Sequence, residues 1–226
     1  MIVLATVHTD NVKELSDLTW EGNKVKYAEK HGYSYVAKTG DWAFGRAEPR
    51  FIYWERMQFI LDLLDEYPDT EWLWITGTDS MITNFQIKVE DRISDTHDIL
   101  LAGDFNEIMV NDSTLIKNTP RARKYYEDMM AAMPEYLYAQ YGENSWILDT
   151  YEQYKDQNLI DIKPQWYMNS YEYRMYRGSP WMYQGTTDIG GNRGQWEPGD
   201  WLVHWPGTQQ HERLALVKEY QDKIIY

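Results

Sequence analysis

The 226-residue chain contains no cysteine, which excludes disulfide bridges, thiolate metal sites and cysteine nucleophiles. It has no long apolar run either. No stretch approaches the roughly 20 residues that span a bilayer, and the opening MIVLATV is too short for a signal peptide before polar residues take over. We therefore expect no membrane segment and a cytoplasmic location. Positive charge is scarce: 22 Lys and Arg stand against 36 Asp and Glu, a net charge of −14. The basic residues are scattered, with RARK at 121–124 the densest group. Nucleic acid is excluded as the main partner, because phosphate contacts need clustered Lys and Arg. Also missing are a Walker sequence, a GxGxxG after a strand, HExxH and GxSxG.

What is present points to a globular protein. Hydrophobic residues make up 43% of the chain, enough for a substantial core. There are 11 Trp and 19 Tyr. Their flat faces and polar handles suit sugar rings, although core or rim packing accounts for any single one. Apolar runs at 2–7, 33–38, 72–75, 98–105 and 159–162 read as strands. Helical patterns lie between them, at 10–30, 51–67, 119–133, 144–154 and 209–223. Residues 107–118 read as strand material broken by the polar NDS, 177–200 as loop, and 201–204 as a last short strand. The alternation in the first half predicts a parallel sheet with crossover helices; the second half predicts an added antiparallel portion. Ligands in such sheets sit beyond the carboxyl ends of the strands.

Two stretches carry candidate chemistry. EWLWITGTDSMITN (71–84) begins as an aromatic-rich buried strand, passes Gly77 and presents one carboxylate, Asp79, at its tip. A carboxylate there can ligate a divalent cation that bridges phosphates, or it can simply cap the turn. DWLVHWPG (200–207) places His204 at the end of a strand before a Pro-Gly bend. That histidine can ligate metal or serve as a hydrogen-bonded structural group, and Gly207 lets backbone N–H groups approach a phosphate.

Three runs together resemble a known family: NKVKYAEKHGYSYV (23–36), YWERMQFILDLLDEYPDTEWLWITGTDSMITN (53–84) and VHWPG (203–207). They are similar to the retaining GT-A glycosyltransferases that include yeast alpha-1,2-galactosyltransferase, the mannan alpha-1,6-mannosyltransferase and plant xyloglucan xylosyltransferases. The resemblance implies an α/β GT-A-like single domain over 1–226, with a mostly parallel Rossmann-like sheet flanked by helices and a smaller antiparallel portion. Residues 1–105 would form its nucleotide-sugar half and 106–226 its acceptor half. It also implies transfer of a sugar from a UDP- or GDP-sugar to a glycan acceptor, with retention, assisted by Mn²⁺ or Mg²⁺. Asp79 and His204 match the family's metal ligands, and Arg56 matches a basic residue that meets donor phosphates. Thr6, Tyr33, Thr78 and Gly207 complete the expected donor pocket. Asp104, Asn111, Asp112 and Asn144 are the expected catalytic candidates near the anomeric carbon or the acceptor, and tryptophans across 181–205 are candidates for stacking the acceptor.

One departure stands out. The first acid of the family's DxD motif is Gly77 here, which predicts a weakened or remodelled metal site completed by Asp104 or by water. The same glycine is the feature that favours a competing reading, a catalytically inactive relative that binds a nucleotide-sugar or glycan without turnover.

Overall fold

The computed structural model describes residues 1–39, 51–104, 109–176, 187–188 and 190–226. Of the loop expected over 177–200, residues 177–186 and 189 lie outside the described residues. Strand β1 (Ile2–His8) is buried at every position but Val7. A helical layer follows: a 3-10 turn (Asp10–Val12), α1 (Lys13–Ser16), a π-helical stretch (Asp17–Lys24) and α2 (Val25–His31). Gly32, at φ +72°, caps α2 in the left-handed conformation that glycine adopts without strain. Strand β2 (Ser34–Thr39) and helix α3 (Phe51–Glu66) come next, and the helix stops before Pro68.

Strand β3 (Trp72–Thr76) is buried throughout, and β4 (Ser80–Ile82) follows it after a short turn. The remaining elements are β5 (Ile99–Gly103), β6 (Met109–Lys117), α4 (Pro120–Tyr136), α5 (Glu143–Tyr154), β7 (Ile160–Lys163) and α6 (Gln165–Met168). Strands β8 (Ser170–Tyr171) and β9 (Leu202–His204) and helix α7 (Gln210–Gln221) complete the chain.

The main sheet has the order β2-β1-β3-β6-β5-β7. Strands β1, β2 and β3 are parallel, β6 runs against both its neighbours, and β5 pairs in parallel with β7. A smaller sheet, β4-β9-β8, lies beside it, with β4 and β9 antiparallel. Both faces of the main sheet are covered. Leu73 and Ile75 join Met57 and Ile60 of α3 and Tyr125 of α4 in one core, while Trp72 and Trp74 join Trp20, Tyr27 and Trp201 in another. Period-2 alternation along β3 thus feeds two cores at once, which is why the strand reads as a continuous apolar run. Trp74 stacks on Trp201 with ring centroids 4.1 Å apart.

Two sequence expectations need correction. The first is partial: β6 is one nine-residue strand, yet its pairing with β5 is irregular where the polar residues stand. Leu115 lies opposite Leu100 and Val110 opposite Ala102, while Ser113 and Thr114 of β6 stay paired with β3. Its polar side chains find partners: Asn111 Oδ1 accepts from the Thr114 hydroxyl, and Ser113 Oγ accepts from the Trp74 indole N–H. The second correction concerns the tryptophans. Trp196, Trp201 and Trp205 are buried core residues, so none of them offers a face for an acceptor; Trp181 lies outside the described residues.

Candidate active site

The turn between β3 and β4 carries Asp79, and much of the neighbouring structure serves to hold that turn. Small strand β4 forms one edge of its sheet, so its backbone groups on that side need partners. The π-helical stretch supplies them from side chains. Asn23 Oδ1 accepts from the Ile82 N–H at 2.8 Å, and its Nδ2 donates to the Ile82 carbonyl at 2.9 Å. Thr19 donates to the Thr78 carbonyl at 2.7 Å, and the Lys24 ammonium to the Ser80 carbonyl. The wide π register brings Thr19, Asn23 and Lys24 onto one buried face. On the other side, the Trp205 N–H donates to the Asp79 carbonyl at 2.9 Å.

Register then assembles the cluster. Ser80 lies opposite His204 in the β4–β9 pair, and Thr76 lies opposite Ser113 in the β3–β6 pair. His204 is therefore set beside Asp79, and Asp112 beside Gly77, whose N–H donates to the Asp112 carbonyl at 3.1 Å. One ligand atom from each of Asp79, Asp112 and His204 lies within 4.8 Å of the others. His204 Nε2 is 3.4 Å from Asp79 Oδ1 and 3.3 Å from Asp112 Oδ2. Its Nδ1 is 2.9 Å from Asn169 Oδ1, an acceptor, so Nδ1 carries a proton and Nε2 is turned toward the two carboxylates.

Gly77 is explained by the same geometry. A Cβ at this position would sit 2.5 and 2.7 Å from the Asp112 carboxylate oxygens and 2.8 Å from Asp79 Oδ1. Its φ is not in the left-handed region. Space disfavours any side chain here, because the Asp112 carboxylate occupies the volume it would fill and would have to move aside. The acidic position just after β3 is empty and one on β6 is filled.

Basic groups surround the cluster. Arg56 of α3 donates through Nη1 to Asp112 Oδ1 and through Nη2 to Glu143 Oε1 at 2.7 Å. Arg213 of α7 reaches Asp79 Oδ2 at 3.0 Å. Burial would favour the neutral form of His204, but the Asp112 and Asp79 carboxylates outweigh it and raise its pKa above the ordinary value. Burial likewise opposes ionisation of Asp79, yet His204 and Arg213 hold its carboxyl far below the usual carboxylate range. Burial lowers Lys24 to about 7, against the pull of Asp112 and Asp79. Glu143 is pushed up by burial in spite of Arg56. Among the described residues, the buried oxygens Asp112 Oδ2 and Glu143 Oε2 accept no hydrogen bond. Two carboxylates, one of them with the orphaned buried oxygen Asp112 Oδ2, and an oriented imidazole nitrogen form a donor set that fits a hard or borderline divalent cation.

A cleft of about 150 Å³ opens over this cluster, lined in part by Val7, Tyr53, Arg56, Gly77, Thr78 and Asp79. The predicted residues fall into three groups. Asp79, Asp112, His204, Arg56 and Thr78 come together. Thr6, Asn111 and Asn144 border them: Thr6 donates to the Thr76 carbonyl at 2.7 Å, and Asn144 Oδ1 accepts from the Asn111 N–H at 3.1 Å. Gly207 forms the left-handed turn after β9, at φ +69°. Asp104 is buried just past the end of β5, outside the three-residue cluster. Tyr33 stands apart. It precedes β2, and the sheet order and parallel register put it at the amino end of the strands, where its hydroxyl bonds to Glu90. Asp79 sits at the carboxyl end, so the structure does not bring Tyr33 to the site.

Arg213 and Glu143 escaped the sequence reading. Neither belongs to a recognisable spacing, since each meets the cluster only through packing of its helix. A signal existed for Glu143, an acid at the first turn of α5 beside the candidate Asn144.

The sheet order, the strand-end carboxylates and the flanking helices define a GT-A glycosyltransferase fold. Similar solved structures include a glycosyltransferase involved in glycosylation of the major capsid of PBCV-1, at TM-score 0.72 and 13% identity, covering 96% of this chain and 98% of that one. The galactosyltransferase LgtC, solved with donor and acceptor sugar analogues, aligns at TM-score 0.52 and 11% identity over 98% of this chain and 100% of its own. The chain belongs to the galactosyl transferase GMA12/MNN10 family, whose profile matches residues 1–152. An alpha-1,2-galactosyltransferase of Schizosaccharomyces pombe is 30% identical over 71 residues, 31% of this chain and 19% of that protein. A second S. pombe protein named as an alpha-1,2-galactosyltransferase is 32% identical over 80 residues, 35% of this chain and 23% of its own length. The matched segments thus span about a fifth of these relatives. No helix among the described residues is long and apolar enough to cross a membrane.

Proposed function

We propose that this protein transfers a hexosyl group from a nucleoside diphosphate sugar to a hydroxyl of a sugar or glycan, with retention of configuration. The observation that supports this most directly is the convergence of Asp79, Asp112 and His204 at the carboxyl ends of the strands, beside Arg56 and Arg213. In the reaction, the bond from the anomeric carbon to the diphosphate breaks and the diphosphate leaves with the electron pair. The acceptor oxygen forms the new bond on the face the diphosphate leaves, and its proton passes to an oxygen of the departing diphosphate. Asp79, Asp112 and His204 would hold Mn²⁺ or Mg²⁺, a Lewis acid that stabilises charge on a departing diphosphate. Arg56 and Arg213 add fixed positive charge at the same place, aimed where negative charge develops. Asn169 keeps the His204 imidazole in the orientation that presents Nε2. Thr78 borders the place where the nucleotide would enter, Thr6 lies buried behind it, and the S. pombe relatives favour galactose as the transferred sugar.

Gly77 by itself favours an inactive relative. With the Asp112 carboxylate in the space beside it, that argument loses its force, because the anionic group is present on the neighbouring strand. The test is release of UDP or GDP from a panel of hexose donors, with and without Mn²⁺. We expect metal-dependent release, as transfer or hydrolysis, with at least one donor. Binding of nucleotide without release from any donor would favour the inactive relative instead.

A further inference from the structure

The two carboxylates of the cluster are held in the same way: each has one oxygen engaged by an arginine and the other turned toward His204. On Asp79, Oδ2 meets Arg213 Nη2 at 3.0 Å, and Oδ1 stands 3.4 Å from His204 Nε2. On Asp112, Oδ1 accepts from Arg56 Nη1. Its Oδ2 stands 3.3 Å from the same imidazole nitrogen and accepts no hydrogen bond among the described residues. Both arginines are anchored by further bonds. Arg213 Nε donates to the Trp205 carbonyl at 3.2 Å and to the Thr208 hydroxyl at 3.1 Å, and Arg56 Nη2 donates to Glu143 at 2.7 Å. The two remaining oxygens border one space, since a Cβ at Gly77 would lie 2.5 Å from Asp112 Oδ2 and 2.8 Å from Asp79 Oδ1. We propose that Arg56 and Arg213 are denticity clamps that set which cation the site accepts. By taking one oxygen of each carboxylate they leave a donor set of Asp79 Oδ1, Asp112 Oδ2 and His204 Nε2, which suits a six-coordinate ion such as Mn²⁺ and rejects Ca²⁺. The inference rests on the metal centre of the glycosyl-transfer reading and gives that centre its selectivity.

The physical reason lies in what each ion asks of a carboxylate. Hydrogen bonds between a guanidinium and a carboxylate are strong and directional. To use both oxygens of Asp79, a cation would have to share Oδ2 with Arg213, which sets two positive charges against one oxygen. Arg56 imposes the same condition at Asp112 Oδ1. Ligation through the other oxygen disturbs neither bond. Ca²⁺ takes about six to eight oxygen ligands and commonly fills its sphere with bidentate carboxylates. Here it would find one oxygen from each acid and a nitrogen. A smaller six-coordinate ion needs only one oxygen from each carboxylate, and first-row transition ions accept an imidazole nitrogen readily. Water or phosphate oxygens complete such an ion's sphere. Both arginines are positioning residues in this role, because each acts on the cation through a carboxylate. Their charge alone would not select: it opposes every divalent cation alike. Selectivity is therefore the property that separates a clamp from a field.

The test is competition between Mn²⁺ and Ca²⁺ for the full chain without nucleotide, with free Mn²⁺ read by electron paramagnetic resonance. In the wild type, displacing half of the bound Mn²⁺ should take about a 100-fold excess of Ca²⁺ or more. Arg213→Met and Arg56→Met each return a second carboxylate oxygen to the cation. Either should raise the affinity for Ca²⁺ relative to Mn²⁺ by about tenfold. Loss of positive charge by itself tightens both ions together, and a loosened fold weakens both together, so neither moves the ratio. A ratio unchanged in a folded variant, as judged by its melting curve, overturns the clamp that the variant removes. A wild-type protein that takes up Ca²⁺ as tightly as Mn²⁺ overturns the whole proposal, and that outcome needs no variant to fold. Because no donor is present, the measurement judges the clamps even where no sugar is released. Failure of the wild type to bind Mn²⁺ at all strikes the metal centre itself, and the clamps with it.

Discussion

The Asp112 carboxylate fills the space that a side chain at 77 would need, so the two positions behave as a coupled pair. Gly77→Asp adds atoms and a like charge against Asp112 and Asp79, and we expect a loss of about 1–3 kcal/mol in urea unfolding from overpacking alone. Removing the obstruction should relieve it: Gly77→Asp combined with Asp112→Ser is expected to recover most of that stability and to bind Mn²⁺ better than Gly77→Asp alone. Additive losses in the double variant would show that the two sites are independent. A residue beyond the ligands is also testable. Asn169 fixes the His204 ring through Nδ1. Asn169→Ala should therefore weaken Mn²⁺ binding by about 10–100-fold, the usual penalty for losing an outer partner of a metal-ligating histidine. Electron paramagnetic resonance of free and bound Mn²⁺ would read the change directly.

At the scale of elements, the π-helical stretch acts as the edge partner of β4. Asn23 replaces a missing strand by pairing with both backbone groups of Ile82. Asn23→Ala leaves a buried N–H and a buried carbonyl without that partner, and we expect a loss of about 2 kcal/mol or more, measured by denaturation. The Asp79 turn should loosen with it, visible as faster amide exchange around Ser80. A second contact joins the region after β8 to α7. Glu172 accepts from the Tyr220 hydroxyl and pairs with Arg174 at 3.0 Å. Burial alone would raise its pKa, but these donors prevail and lower it from the ordinary 4.5. A depressed carboxyl pKa contributes stability that is present above the unfolded value and is lost as pH falls through the folded one. The acid limb of unfolding should therefore flatten in Glu172→Gln below pH 4.5, while the two curves run parallel at neutral pH.

For the whole molecule, nucleotide and cation should stabilise together. A ligand that binds only the folded chain adds about 2.7 kcal/mol at a hundred times its Kd. UDP with Mn²⁺ should raise the melting temperature, and EDTA should abolish most of the UDP effect. A UDP shift that is indifferent to EDTA would count against a metal-assisted diphosphate site. Much of the architecture was legible beforehand. The strand–helix alternation through β5 stands as read from periodicity. Strand β6 was legible only in part: the polar Asn111-Asp112-Ser113 does mark an irregularity against β5, but the strand continues through it because Ser113 pairs with β3 and accepts from the distant Trp74. Likewise, nothing in the spacing of Trp201 or Trp205 distinguishes a buried ring from an exposed one.

The sequence by itself marked two candidates, a strand-tip Asp79 and a strand-end His204 before a Pro-Gly bend, through period, turn chemistry and residue type, and the family resemblance added Arg56. Tertiary structure alone decided that Asp112 stands in the space left by Gly77, that Arg213 and Glu143 join the cluster, and that Tyr33 faces the opposite end of the sheet. The physical reason is register. Cross-strand pairing and helix docking fix distances between residues many tens of positions apart, and no local pattern encodes them.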